Sequence, residues 1–383
     1  MELVKKLPDV FEEFGEQRRN AFTSVFEIKE NDIPIVGTFC TYTPVEIIMA
    51  AGAIPVSLCS ASDETIPDAE QDLPRNLCPL VKSSYGFAKT QKCPYFYFAD
   101  LIVGETTCDG KKKMFELLGE IKDVHYMELP NRQSFMGCEL WKSELIRLKE
   151  KLEERFNTTI TEENLREQVR LMNENRIALR HFYELMKLDP PPMAGSDVFN
   201  VLVGSGFKFD RTESTKGVNE LTARIQKEYD EGNRPVAKRP RILITGCPIG
   251  GSTMKVINAI ENNGGNVVCY ENCCGAKTMD KLVNEEAEDI YQAIADRYLN
   301  IGCSIMTPNP NRLELLGRLI DEYQIDGVVE MVLQACHTYN VESNAIKKFV
   351  TGKGVPYMYV ETDYSSSDVG QLNTRCAAFM EML

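Results

Sequence analysis

The Cys-x-x-Cys spacing is missing from this chain, which carries 13 cysteines in 383 residues. That counts against zinc ribbons, thioredoxin-like motifs and ferredoxin-type clusters. Positive charge is short as well. Lys and Arg number 43 against 57 Asp and Glu, a formal net charge of −14. This argues against nucleic acid as a partner, because phosphate binding needs clustered cations. The basic runs 111–113 and 238–241 read as solvated turns. No apolar run approaches the ~18 residues of a membrane span. The nearest, residues 45–59, contains Glu46 and Pro55. The N-terminal stretch MELVKKLPDVFEEFGEQRR is charged throughout and lacks the apolar core of a signal peptide. A cytoplasmic protein that does not contact membranes is expected. There is no P-loop, no G-x-G-x-x-G, no nucleophile elbow and no zincin pattern. If ATP is used, a partner binds it.

What is present is a repeated alternation. The length predicts two or three domains. An amphipathic helix over 9–29, with Val10, Phe11, Phe14, Phe22, Val25 and Phe26 on its stripe, leads the chain. Strands follow at 33–37, 54–58, 95–103 and 124–129, with helices between them. The stretch 95–103, aromatic and β-branched, reads as a strand buried on both faces. Residues 141–188 change character: Glu, Lys, Arg and Leu at helical spacing, a break at 157–159, and Thr161 as an N-cap. A polar linker at 231–240 carries two prolines, after which strands at 241–245, 266–270, 328–333 and 357–361 alternate with helices. The expectation is an α/β fold of two Rossmann-like parallel-sheet domains with a helical segment between them. The boundaries are 1–140 for the N-terminal α/β domain with its leading helix, 141–235 for the helical segment and linker, and 236–383 for the C-terminal α/β domain.

The cysteines follow this alternation. Cys40, Cys108, Cys247, Cys273 and Cys336 fall just past the carboxyl end of an expected strand, Cys78 precedes a helix, and Cys303 lies in the turn before the helix at Asn311. Thiols at that loop edge lie near helix N-termini, which lower thiol pKa and favour metal ligation. An all-sulfur set suits iron–sulfur clusters or zinc. Cys59, Cys93, Cys138, Cys269 and Cys376 read instead as small buried hydrophobes. The segment TGCPIGG at 245–251 reads as a tight turn between strand and helix. His337, beside Cys336, is the one of three histidines near the proposed site, as a proton donor or a structural group.

Several spaced motifs carry a family resemblance. Cys40-x-Tyr42-x-Pro44-x-Glu46, Cys108-Asp109, ITGCPIG, YENCCGAK, QACHTY and the ending ETDYSSSDVGQLNTRCAAFMEML resemble the 2-hydroxyacyl-CoA dehydratase/benzoyl-CoA reductase family. Within it, RNLCPLVKSSYG, ETTCDGKKKM and the surplus of loop cysteines are most similar to the double-cubane cluster proteins. The resemblance implies an 8Fe-9S cluster, two 4Fe-4S cubanes sharing a bridging sulfide, in a homodimer. It implies Cys40, Cys78, Cys108, Cys273, Cys303 and Cys336 as ligands, with Cys247 or Cys274 able to displace one of them. Tyr42, Glu46 and His337 are candidates for groups around the cluster. The implied activity is ATP-dependent reduction of small unsaturated molecules, with a separate iron–sulfur ATPase supplying low-potential electrons.

Two other activities compete. One is a 2-hydroxyacyl-CoA dehydratase subunit with a single 4Fe-4S cluster, a lyase; the surplus cysteines stand against it. The other is an electron carrier with no turnover of its own. A zinc-stabilised protein is a distant third, since closed zinc sites use close cysteine pairs.

Overall fold

The computed structural model describes residues 6–9 and 11–383; Val10, expected on the first helical stripe, lies outside the described residues. Two compact units form, Met1–Arg170 with Val283–Asn300, and Leu171–Leu282 with Ile301–Leu383. In chain order the elements of the first are α1 (Glu16–Glu30), β1 (Ile35–Thr38), α2 (Val45–Ala50), β2 (Ile54–Ser57), α3 (Ile66–Ala69), α4 (Pro79–Lys89), α5 (Pro94–Phe98), β3 (Leu101–Glu105), α6 (Asp109–Leu118), β4 (Val124–Met127) and α7 (Phe135–Phe156). The unit boundary falls inside α8 (Glu162–Glu184). Then come α9 (Gly195–Gly206), α10 (Arg211–Asp230), β5 (Arg241–Gly246), α11 (Met254–Asn262), β6 (Asn266–Glu271) and α12 (Ala276–Met279). Helix α13 (Ile290–Leu299) belongs to the first unit, and α14 (Pro310–Glu322), β7 (Gly327–Leu333), α15 (His337–Gly352), β8 (Tyr357–Thr362) and α16 (Val369–Met380) complete the second.

Among the described residues each unit holds one four-stranded parallel sheet, ordered β2-β1-β3-β4 in the first and β6-β5-β7-β8 in the second. The expected α/β fold with two Rossmann-like sheets is therefore present, and the same winding occurs twice. Each sheet reverses direction between its two central strands, β1 and β3 or β5 and β7. The crevice outside the carboxyl ends at such a switch point is where ligands bind in open α/β sheets. The central strands are buried at every position, which explains their near-continuous apolar sequences.

The aromatic stretch 95–103 is not one strand. Cys93 caps α5, its sulfur accepting from Phe96 N at 3.4 Å, and Pro94 takes the first helical position. Proline there is preorganised for a helix, so local capping outweighs the β propensity of Tyr95–Phe98, and β3 begins at Leu101. In α7, Trp141, Leu145, Leu148 and Leu152 form a fully buried stripe. Thr161 caps α8 as expected, accepting from Asn164 N at 3.2 Å. Helix α1 is held by a buried ion pair: Lys29 donates to Asp100 Oδ2, which also accepts Ile35 N at 2.8 Å. No helix among the described residues is long and apolar enough to cross a membrane.

Both basic runs depart from the solvated reading. Lys112 and Lys113 are exposed, but Lys111 is buried on α6. Arg241 opens β5 with its guanidinium donating to the carbonyls of Tyr323, Leu188 and Met186. A cation beneath a helix or strand end can satisfy several backbone carbonyls at once, which composition does not reveal.

Candidate functional site

The carboxyl edges of the two sheets carry the cysteines. In the first unit Cys40 follows β1, Cys59 follows β2, and Cys108 separates β3 from α6. In the second, Cys247 follows β5, Cys273 follows β6, and Cys336 separates β7 from α15. Cys40 and Cys108 thus flank one switch point, and Cys247 and Cys336 the other.

Three of the candidates begin helices. Cys78, Cys108 and Cys336 are the N-cap residues of α4, α6 and α15, and none of their side chains makes the capping bond. Their carbonyls take the first helical hydrogen bonds, from Lys82 N, Lys112 N and Asn340 N at 3.1, 3.0 and 2.9 Å. Sulfur at an N-cap meets the positive end of the helix dipole. The starts of α4 and α6 are neighbours. A Cβ added to Gly110 would lie 3.1 Å from Leu77, the residue before Cys78. Lys82 pins the loop that delivers Cys78, donating to Glu70 Oε1 at 2.8 Å and Arg75 O at 2.9 Å.

A buried cation sits at the first switch point. Lys111 Nζ donates to Phe39 O at 3.1 Å, and the same oxygen accepts from the Cys59 thiol at 3.1 Å. Burial disfavours the ammonium form, but the neighbouring Cys40, Cys59, Glu105 and Cys108 outweigh it and hold the Lys111 pKa above its ordinary value. Glu105 is fully buried, accepts from Thr43 Oγ1, and is pushed up by burial.

In the second unit the cysteine loops gather around the first turn of α15. Ser304 Oγ donates to Thr338 Oγ1 at 3.0 Å, and Thr338 Oγ1 lies 4.0 Å from Cys336 Sγ. Burial, with Cys303 and Cys273 close by, drives the Tyr339 pKa well up. Lys277 Nζ donates to the Tyr339 hydroxyl at 3.2 Å and pairs with Glu271 at 3.0 Å. Arg312, fully buried, pairs with Glu271 at 3.4 Å, with Glu330 at 3.2 Å and with Glu342. Asn309 Nδ2 donates to Cys303 O at 2.9 Å and to Glu342 Oε1 at 2.6 Å, which ties the Cys303 loop to this network. Two glycines are dictated by close approach. A Cβ on Gly302 would lie 2.5 Å from Arg312 N, and one on Gly275 would overlap Tyr270 O.

The remaining cysteines divide. Cys269 and Cys376 are buried as expected, whereas Cys59 is exposed and Cys93 and Cys138 are half-buried. Cys138 donates to Asp296 Oδ1 at 2.8 Å. Cys247 is 1% exposed and its sulfur accepts from Leu333 N at 3.4 Å. Cys274 donates to Ile249 O at 3.3 Å. Cys40, Cys78, Cys108, Cys273, Cys303 and Cys336 are all half-buried, as is Cys274. Of the surrounding groups, Tyr42 and Glu46 are fully buried, Glu46 accepting from the Tyr298 hydroxyl at 2.7 Å. His337 is exposed at the start of α15.

Among the described residues no three His, Cys, Asp or Glu side chains converge on a point that would hold a single metal ion. In a cubane each thiolate binds a different iron, so its ligands are not gathered around one point. The donor set itself, six half-buried sulfurs at helix starts, strand ends and the loop before α14, fits iron–sulfur ligation.

Lys111, Cys59 and the Arg312 network escaped the sequence reading. A signal for both cations existed. Lys111 precedes Met114, Phe115 and Leu118, and Arg312 precedes Leu315, Leu316 and Leu319, each at the helical spacing of a buried stripe.

Residues 40–383 match the family model described as 2-hydroxyglutaryl-CoA dehydratase, D-component. The Escherichia coli (strain K12) protein named "Putative dehydratase subunit YjiM" is 56% identical, with 100% of each chain covered. The (R)-phenyllactyl-CoA dehydratase beta subunit of Clostridium sporogenes is 23% identical, over 91% of each chain. A benzoyl-CoA reductase subunit of Thauera aromatica is 22% identical, over 94% of each. The chain therefore belongs to the 2-hydroxyglutaryl-CoA dehydratase D-component family, whose members include subunits of 2-hydroxyacyl-CoA dehydratases and of benzoyl-CoA reductase.

Proposed function

We propose that this chain is the cluster-carrying component of an ATP-dependent, low-potential iron–sulfur reductase acting on small unsaturated molecules. The observation that carries the reading is the placement of six half-buried cysteines, three per unit, at strand ends, helix starts and, for Cys303, the loop before α14: Cys40, Cys78 and Cys108, then Cys273, Cys303 and Cys336. Three thiolates per unit suffice for two cubanes joined by a sulfide, an 8Fe-9S double cubane. Such a cluster, when bound, supplies electrons at low potential; iron–sulfur potentials reach about −700 mV.

The chain's residues hold sulfur in place and surround it with charge. The Cys274 thiol donates to Ile249 O and the buried Cys247 sulfur accepts from Leu333 N, and the proposed set keeps Cys273, with Cys247 and Cys274 as the positions able to displace a ligand. Tyr339, whose hydroxyl accepts from Lys277 and whose ring lies under Arg312, stands near Cys273 and Cys303 of the second triad. The proposed assembly is a homodimer that receives electrons from a separate iron–sulfur ATPase. ATP is bound by that partner, since the chain has no P-loop.

The name of the 56% identical relative favours a second reading, a dehydratase subunit holding one 4Fe-4S cluster. Iron and acid-labile sulfide, measured on protein purified without oxygen and without reconstitution, separate the two. About 8 iron atoms per chain support the double cubane, and about 4 support the dehydratase. Turnover with an activating ATPase then decides the reaction: ATP-dependent consumption of a small unsaturated substrate for the reductase, water elimination from a 2-hydroxyacyl-CoA for the lyase. Zinc in place of iron overturns both.

A further inference from the structure

We propose that Lys111 is a positioning residue. It is a fixed ammonium at the first switch point that balances the thiolate charge there and raises the reduction potential of the cluster those thiolates bind. The inference rests on the reading of Cys40 and Cys108 as cluster ligands.

Four observations support it. Lys111 is the buried member of a three-lysine run whose other two members are exposed. Its Nζ shares the carbonyl of Phe39, the residue before Cys40, with the Cys59 thiol, at 3.1 Å to each. Lys111 lies on the first turn of the helix that Cys108 begins and reaches the carbonyl before Cys40, and Cys40, Cys59 and Cys108 lie past the ends of three adjacent strands. Its Nζ lies over the Phe39 and Phe115 rings, 5.8 and 5.6 Å from their centroids.

A buried lysine that merely filled space would be replaced there by an apolar residue at a gain, since burying an ammonium costs several kcal/mol. The second switch region differs. Its buried cations, Lys277 and Arg312, are matched by Glu271, Glu330 and Glu342. Around Lys111 the facing charged groups are Glu105 and the thiolates themselves.

Adding one electron to a thiolate-bound cluster increases negative charge beside this ammonium, so the lysine favours the reduced form. A unit charge about 10 Å away, at an effective dielectric of about 20, changes the equilibrium roughly tenfold. For a one-electron couple tenfold is about 59 mV.

The test uses the full chain purified without oxygen. Wild type, Lys111→Met, Lys111→Gln, Lys111→Arg and Lys113→Met are compared by iron content, circular dichroism and a redox titration followed by electron paramagnetic resonance. Loss of about tenfold in the reduced-to-oxidised ratio at fixed potential in the two neutral variants is expected. Lys111→Arg should recover most of it, and Lys113→Met should match wild type. Loaded neutral variants with the wild-type potential overturn the inference alone. Neutral variants that lose the fold while Lys111→Arg keeps it assign the lysine to folding and likewise overturn it. Iron-free wild type overturns the ligand reading, and this inference falls with it.

Discussion

Arg312→Met removes a guanidinium that is fully buried and pairs with three carboxylates while donating to Thr245 Oγ1 at 2.9 Å. Methionine retains most of the apolar stem, so the cavity left is small. What remains is Glu271 and Glu330, both fully buried, without their shared cation. Removing one partner of a buried ion pair costs about 3–5 kcal/mol. In a unit of this size each kcal/mol is worth about 2–4 °C, so the melting temperature should fall by roughly 6–20 °C. The loss should depend on pH. Burial already holds the Glu330 carboxyl above its usual range, with Arg312 and the Tyr357 hydroxyl pulling it down. Without Arg312 it rises further. An acid whose folded pKa lies above its unfolded value contributes stability that is present below the unfolded pKa and lost as pH rises through the folded one. The deficit should therefore be smaller at pH 5 than at pH 8. Urea titrations at pH 5, 6.5 and 8, followed by circular dichroism, measure it. A deficit below about 1 kcal/mol, the scale of an exposed pair, would refute the argument, and so would one that does not change with pH.

Gly302→Ala places a Cβ 2.5 Å from Arg312 N, a backbone clash expected to cost about 1–3 kcal/mol; an unchanged urea midpoint would show that the turn carrying Cys303 has room to move. His125 is a base whose pKa burial, aided by Arg147 and Lys151, pushes down to about 4. Its contribution is thus present above its unfolded pKa and lost as pH falls from about 6.5 towards 4, an amount of about 3 kcal/mol at 1.36 kcal/mol per pKa unit. His125→Gln should flatten the stability profile over that window, and parallel profiles for the two proteins would contradict the assignment. Cys78→Ala should lower iron from about 8 per chain towards about 4, while Cys376→Ala, at a buried position on α16, should leave it unchanged; iron retained in full by Cys78→Ala removes Cys78 from the ligand set.

The strands were legible where burial is complete. Apolar runs at 241–245 and 328–333 become β5 and β7, and the boundaries shift by little because every position faces protein. The run at 95–103 misled because composition there points one way and a cap the other. Pro94 behind Cys93 starts a helix that the aromatic residues then complete. Lys111 and Arg312 were invisible to a reading that weighs charge by composition, yet each occupies the leading position of its helix's buried stripe. A charged residue in that register means a partner waits beneath it.

The cysteine pattern was legible as an edge but not as a ligand set, and the repeated winding shows why. Cys40 and Cys247 occupy matching places, after the central strand from which each sheet turns. Cys40 is half-buried, whereas Cys247 is closed in, with Leu333 N donating to its sulfur. The donor comes from the end of β7, a strand distant in sequence. Ala335, at φ 57°, then turns that chain so that Cys336 takes the N-cap position of α15. Which sulfur is closed in at a switch point depends on where the neighbouring strand ends. Spacing along the chain carries no record of that, because the register is set across the sheet.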